Sequence, residues 1–200
     1  MTIIGLCGGS GSGKGTVARF FDEYGIPSID ADAVYRDITK PGADLVRKLG
    51  LTFGGSVIDE NGGLNRVELS KIVFDPANKQ LLDKLNKITH EFIIEETMVR
   101  IETFELEGVE FVVFDAPLLF ESGFDKKCDI IISVLADKDI RVERIIARDN
   151  ITADKAKARI ASQLSDEFLI ERSDYVIYNN GSEQELMAEV ASIANKILKR

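Results

Sequence analysis

The 200-residue sequence is poor in the residues from which disulfide frameworks and zinc sites are built. It has two cysteines, Cys7 and Cys128, far apart and outside any C-x-x-C pair, and a single histidine, His90. This usage excludes a disulfide-stapled fold and suits a reducing compartment, with both cysteines read as small core residues. Long apolar runs are also missing: the densest stretches, Val109–Phe120 and Ile130–Ala136, fall short of the roughly 18 residues of a membrane span. Met1–Leu6 leads directly into glycines, with neither a basic leader nor a cleavable apolar segment, so a cytoplasmic protein without a secretion signal is expected. Positive charge is in deficit, since 25 Lys and Arg stand against 34 Asp and Glu for a net −9. Such a balance repels nucleic acid and anionic membrane at long range, and neither is expected as a partner. An anionic small molecule would need a local positive pocket. Internal repeats and low-complexity linkers are absent.

What the sequence does contain is the composition of a globular domain, 44% apolar and 30% charged, at the length of one domain or of a core carrying a cap or lid. Short β-branched runs at Thr2–Cys7, Val109–Asp115, Ile130–Leu135 and Tyr175–Tyr178, with a weaker one at Pro27–Asp30, alternate with helical patterns. Runs apolar on both faces read as buried parallel strands joined by helical crossovers, which predicts an α/β domain. Residues 31–108 form a long, mainly helical insertion. In it Asn65 can cap a helix through Phe74, Pro76 suits a first helical turn, and Leu81, Leu82, Leu85, Ile88, Phe92 and Ile93 mark one buried face. The last stretch, Glu183–Arg200, puts Leu186, Met187, Val190, Ala194, Ile197 and Leu198 on the stripe of a packing helix.

Gly8-Gly9-Ser10-Gly11-Ser12-Gly13-Lys14-Gly15-Thr16 follows the first strand and opens a helix over Val17–Glu23, the setting of a phosphate-binding loop. Glycines let successive N–H groups turn inward, Lys14 reaches the β and γ phosphates, and the helix N-terminus adds a favourable dipole. Gly15 stands where a hydroxyl usually ligates Mg²⁺, leaving the metal to phosphates, water and a carboxylate elsewhere, while Thr16 is placed to bond the α or β phosphate. Asp30 and Asp32 lie where the second strand gives way to a helix, at the carboxyl edge that borders the ligand crevice of open α/β sheets. On extended chain they share a side. Phosphoryl transfer to an alcohol uses an aspartate to orient the hydroxyl and accept its proton, which selects Asp32; the alternative is that either residue caps the helix. Asp115 closes the strongest strand, where phosphate-loop proteins hold Mg²⁺ directly or through water, or else it serves the turn before Pro117; Glu121 is a second carboxylate for that shell. His90, on an apolar helical face, reads on its own as a packing residue.

The segment 138–159 carries about +3, against −12 for the remainder. Arg141, Arg144 and Arg148 recur on one helical face. Arg141 fits a solvated face, whereas Arg144 and Arg148 are selected as the pair that clamps a transferring phosphoryl group when a mobile helical lid closes.

Taken together these motifs resemble the dephospho-CoA kinase family of phosphate-loop kinases, from Ile3 to about Gly181. The matching residues are the loop Gly8–Thr16, Asp30-Ala31-Asp32 with Arg36, Gly62–Arg66 leading to Ile72-Val73-Phe74, and Leu85–His90. They continue with Pro117–Glu121, Arg144 with Arg148, Arg159 with Gln163, Asp174–Ile177 and Asn179-Asn180-Gly181. The resemblance implies transfer of the ATP γ-phosphoryl group to the ribose 3′-hydroxyl of dephospho-CoA with Mg²⁺ as cofactor. It implies a three-layer phosphate-loop core with a five-stranded parallel sheet (residues 1–30, 109–136 and 169–200), a helical substrate domain (31–108) and a helical lid (137–168). It further implies that Asp32 is the base and that Gly9, Gly11, Ser12, Gly13, Lys14, Gly15 and Thr16 hold ATP phosphates. Asn179 and Gly181 would lie near adenine, and Arg66, His90 and Leu118 would meet dephospho-CoA. Three positions depart from the family pattern: Gly15 for Ser, Glu91 for Pro and Ser173 for Ala. The Lys14-Gly15-Thr16 string also resembles adenylate kinases, leaving a nucleoside monophosphate kinase as the alternative. A nucleotide-driven switch is disfavoured, because Asn86-Lys87-Ile88-Thr89 lacks the final Asp of a guanine-reading motif.

Overall fold

A computed structural model describes residues 1–75 and 78–199; Pro76, with its expected place in a first helical turn, lies outside the described residues. The chain divides into two compact units, Met1–Asp30 with Phe104–Arg200, and Ala31–Thr103.

The first unit is built on five parallel strands: β1 (Thr2–Cys7), β2 (Ser28–Asp30), β3 (Phe111–Asp115), β4 (Ile130–Leu135) and β5 (Tyr175–Tyr178). Their spatial order is β2-β3-β1-β4-β5. Leu6 pairs with Asp115 and with Ile132, and Asp30 with Asp115. The central strands are buried along nearly their whole length, so both faces must be covered by helices. Helices α1 (Lys14–Glu23) and α9 (Glu183–Ile197) supply one part of that cover: Val17, Phe20, Phe21, Leu186, Val190, Ile193 and Ile197 join Ile4, Leu6, Ile132 and Ile177 in one core. Right-handed crossovers send the chain from β1 to one side of the sheet and from β3 and β4 to the other. The reversal opens a crevice at the carboxyl end of β1, where such folds take ligands. At the opposite edge Asp129 and Asp174 accept from the N–H groups of Ile3 and Ile131, each at 2.8 Å, tying adjacent strand starts together.

Three further helices, α6 (Lys138–Asp149), α7 (Ala153–Ala161) and α8 (Asp166–Arg172), separate β4 from β5. The α6–α7 hairpin has its own small core of Val142, Ile145 and Ala156. Asn150 closes α6 at φ 51, and Thr152 and Ser165 cap α7 and α8.

The second unit contains α2 (Ala31–Ile38), α3 (Asp44–Phe53), α4 (Arg66–Val73) and most of α5 (Lys79–Leu106). Leu45, Leu49, Val57, Leu69, Val73 and Ile88 form its core, with Leu81, Leu82, Leu85 and Phe92 packed around them. Asn65 does cap α4, its side chain accepting from Glu68 N–H at 3.1 Å, an arrangement worth about 1 kcal/mol.

Several boundaries differ from the sequence reading. Helix α1 begins at Lys14 rather than Val17, because Gly13 at φ 92 is its N-cap and the loop ends there. Strand β3 begins at Phe111 rather than Val109, because the N–H groups of Gly108 and Val109 close α5 on Glu105 and Phe104 carbonyls. On α9 the buried stripe runs through Ile193, while Met187 and Leu198 are 42% and 44% exposed.

Candidate active site

At the carboxyl end of β1 the glycine loop is shaped by its neighbours. Gly11 and Gly13 adopt φ 80 and φ 92, left-handed values that L side chains rarely take. A side chain on Gly9 would run into the Arg141 guanidinium, and one on Gly13 into the Asn179 amide. Gly15 is different: nothing lies within 4 Å of the place a Cβ would occupy. Its glycine is not required by packing.

Five successive carbonyls of the loop, Gly9 to Gly13, have hydrogen-bond partners. Gly9 O accepts from Ser12 N–H at 3.1 Å, and Gly13 O from Thr16 and Val17 N–H at 3.0 and 3.2 Å. Between them, Ser10 O accepts from Arg141 Nε at 3.0 Å, Gly11 O from Arg144 Nη1 at 3.3 Å and Ser12 O from Asn179 Nδ2 at 2.8 Å. With the carbonyls turned away, the amides that follow can face an anion. The Ser12 hydroxyl is buried and has no hydrogen-bond partner among the described residues.

Lys14, the first residue of α1, pairs with Asp115 at the end of β3. Asp115 is only 7% exposed, so the pair brings one cation and one hard carboxylate to the mouth of the loop. Among the described residues no group of three or more His, Cys, Asp or Glu could hold a metal ion. Asp115 supplies a hard carboxylate oxygen here, which fits Mg²⁺, an ion that takes one or two carboxylates and completes its shell from phosphates and water.

Asn179 follows β5 and is 7% exposed; its Oδ1 accepts from Arg144 Nη2 at 3.3 Å. Thus Arg144, the loop and Asn179 converge. Gly181 follows, and a Cβ there would collide with Glu185, whose side chain completes the capping box of α9 with Ser182. Leu118, in the turn after β3, is 49% exposed. Arg148 is exposed and bound to Asp149 through Nε at 2.7 Å and Nη2 at 3.0 Å, and Arg159 binds the same carboxylate. The hydrogen bonds from Arg148 and then from Arg159 hold the Asp149 carboxyl well below its ordinary range.

Arg141 corrects the sequence reading. It is 4% exposed rather than solvated, because its guanidinium is enclosed by the loop, Gln163 at 3.2 Å and Asp166 at 3.2 Å. Gln163 lies outside the site residues that the sequence indicates, yet its Oε1 accepts from Ser10 N–H at 2.9 Å. The signal available in the sequence was the glycine at position 9, which admits a bulky group against the backbone. Ser173, one of the departures, donates to Leu169 O at 2.7 Å and meets Ser133 Oγ at 2.6 Å, which in turn meets Cys7 Sγ at 3.0 Å. Burial is the larger influence on Cys7 and pushes its thiol up to about 11; Cys128 is pushed up to about 12, also by burial first.

Asp30, which ends the first unit's β2, and Asp32, in the second unit, part company with the expectation of a shared side. Asp30 ends β2 and Asp32 is already the second residue of α2, so no extended chain aligns them. Both are exposed. Arg66 donates to Tyr35 Oη at 2.9 Å and to Thr39 Oγ1 at 3.3 Å, with its guanidinium 5.0 Å from the Tyr35 ring centroid. His90 lies half-buried in α5.

A parallel sheet of this order, with a glycine loop opening α1 and a lysine at its mouth, is a phosphate-loop kinase fold. A shikimate kinase from Acinetobacter baumannii shares it at a TM-score of 0.56 and 16% identity, over 100% of this chain and 94% of the other. Similarity closer in sequence extends to a dephospho-CoA kinase of Corynebacterium efficiens, 40% identical over 100% of this chain and 99% of the relative. The solved dephospho-CoA kinase from Campylobacter jejuni is 26% identical with a TM-score of 0.70, covering 98% and 97%. A sequence model described as dephospho-CoA kinase matches residues 2–185. The chain belongs to the dephospho-CoA kinase family and is an ATP-dependent kinase.

Proposed function

We propose that the chain transfers the γ-phosphoryl group of ATP to the 3′-hydroxyl of dephospho-CoA, giving coenzyme A and ADP. The observation that carries this reading is a formed phosphate loop in a chain matching the dephospho-CoA kinase family over residues 2–185. The loop, through Gly9, Gly11, Ser12, Gly13, Gly15 and Thr16 together with Lys14, binds the phosphates of ATP, and Asn179 and Gly181 border its adenine. Asp115 is the residue that would hold Mg²⁺, which neutralises charge on the β and γ phosphates when bound. Engaging the phosphates draws Lys14 away from Asp115, freeing both groups for their roles.

Asp32 accepts the proton of the attacking hydroxyl and orients it. Most of the remaining catalysis is positioning and charge neutralisation. Arg144 supplies positive charge beside the loop; Arg148 joins it by exchanging Asp149 for phosphate oxygens. Arg66, His90 and Leu118 bind dephospho-CoA, with Arg66 already oriented by Tyr35 and Thr39. The reaction is placed in the cytoplasm, in keeping with the lack, among the described residues, of any helix long and apolar enough to cross a membrane.

The test is ADP formation from ATP and Mg²⁺ with dephospho-CoA, AMP, CMP or no acceptor. Turnover with dephospho-CoA alone is expected. Turnover with AMP or CMP but not dephospho-CoA would sink the proposal in favour of a nucleoside monophosphate kinase.

A further inference from the structure

The residue at the apex of the loop, Ser10, is gripped on both sides of its backbone. Its N–H donates to Gln163 Oε1 at 2.9 Å and its carbonyl accepts from Arg141 Nε at 3.0 Å. Gln163 and Arg141 are themselves joined, Nη2 to Oε1 at 3.2 Å, and Arg141 Nη1 is anchored on Asp166 at 3.2 Å. None of these side chains belongs to the loop: Arg141 comes from α6, Gln163 from the turn between α7 and α8, and Asp166 from the first turn of α8.

A buried guanidinium, 4% exposed, is costly unless its donors are used, and three of its N–H directions are spent on Ser10, Gln163 and Asp166. Gly9 is the complementary feature, since any side chain there would displace the guanidinium. The effect on the loop is specific. The Ser10 N–H is spent on Gln163, and holding the Ser10 carbonyl on Arg141 keeps that acceptor away from an incoming phosphate and, because the peptide is planar and trans, turns the Gly11 N–H the opposite way. A peptide free to rotate at this point would present its carbonyl dipole to the anion and oppose binding.

We infer that Gln163 and Arg141 are positioning residues for the ATP phosphate loop, acting through the Ser10 peptide and not by contact with nucleotide. The inference rests on the proposed role of the loop in ATP binding. It assigns to α6 and the α7–α8 turn a function that holds before any closure: they pre-shape the cradle.

The experiment compares Gln163→Leu with Gln163→Glu, which keeps an acceptor for Ser10 N–H, and with Arg141→Met. ADP affinity with Mg²⁺ is measured by calorimetry on the full chain, and KM for ATP and for dephospho-CoA are measured separately. Gln163 is half-buried in a turn, so its replacement leaves the apolar cores untouched. Gln163→Leu is expected to weaken ADP and raise the KM for ATP about tenfold, the effect of a 1.4 kcal/mol difference, with KM for dephospho-CoA unchanged. Gln163→Glu should recover most of the loss, and Arg141→Met should weaken ADP at least as much as Gln163→Leu. ADP affinity within twofold of the parent in Gln163→Leu, equal changes in both KM values, or no recovery in Gln163→Glu would overturn the inference. Because ADP binding needs no acceptor, a parent that binds ADP yet leaves dephospho-CoA unmodified would defeat the proposed reaction while still allowing this test.

Discussion

Asp32 shows what a single side chain is asked to do. It is exposed in the first turn of α2, where a carboxylate suits the helix dipole, and Asp32→Asn keeps the shape of the side chain while removing its charge and its capacity to accept a proton. Asp32→Asn is therefore expected to lower kcat by about 10²-fold or more while ATP still binds, the range general-base catalysis contributes. A near-normal kcat in that variant would remove Asp32 as the base. Gly15 poses the reverse question, because the space beside it is open and its backbone is not in the left-handed region. Gly15→Ser should fold normally and bind Mg²⁺·ATP no worse than the parent; a marked weakening in a metal titration would contradict the open geometry.

At the scale of elements, α2 and α5 are joined by charge. Arg100 on α5 bonds Asp37 on α2 at 2.7 Å and Glu96 at 2.9 Å, and Lys40 also meets Asp37 at 2.7 Å. Hydrogen bonds from Lys40 first, then Arg100, lower the Asp37 carboxyl to about 2. The unfolded carboxyl titrates near ~3.9, so this contribution to stability is present above that pH and is lost as pH falls toward 2. Urea denaturation at pH 5 and pH 2.5 should show a larger loss for the parent than for Asp37→Asn. An equal loss would show that the pair has no net worth. The α6–α7 hairpin combines charges differently: Arg141 is enclosed to hold the loop, Arg144 touches it, and Arg148 remains outside on Asp149. One periodic row of arginines thus has three environments.

For the whole molecule, the net charge of −9 sets a background against which two polyanionic substrates must bind. The proposed remedy is local: loop amides, Lys14 and the basic segment 138–159. Lys14→Met is accordingly expected to weaken ATP about tenfold or more, whereas heparin or polyphosphate should bind the parent weakly at 0.15 M salt, where charges interact over only ~8 Å. Tight polyanion binding insensitive to Lys14→Met would place the positive potential elsewhere. The second unit carries its own apolar core, and so does the hairpin of α6 and α7.

The sequence by itself determined the strand runs, the glycine loop and its lysine, because short apolar β-branched runs, left-handed glycines and helix caps are local properties of the chain. Asn65 as a cap and Asp115 at a strand end were legible for the same reason. Only the tertiary structure decided where three arginines of one helical face would point, because spacing fixes a shared face but not which neighbour that face meets. It also decided that Ser133 and Ser173 join Cys7 in one buried chain of polar groups, across residues far apart in sequence. And it separated Asp30 from Asp32, since the step from strand to helix between them turns on a single residue. Gln163 came to the phosphate loop from 153 residues away; a hydrogen bond of that range leaves no periodic mark on the sequence, because it depends on packing that exists only once the sheet and its helices have formed.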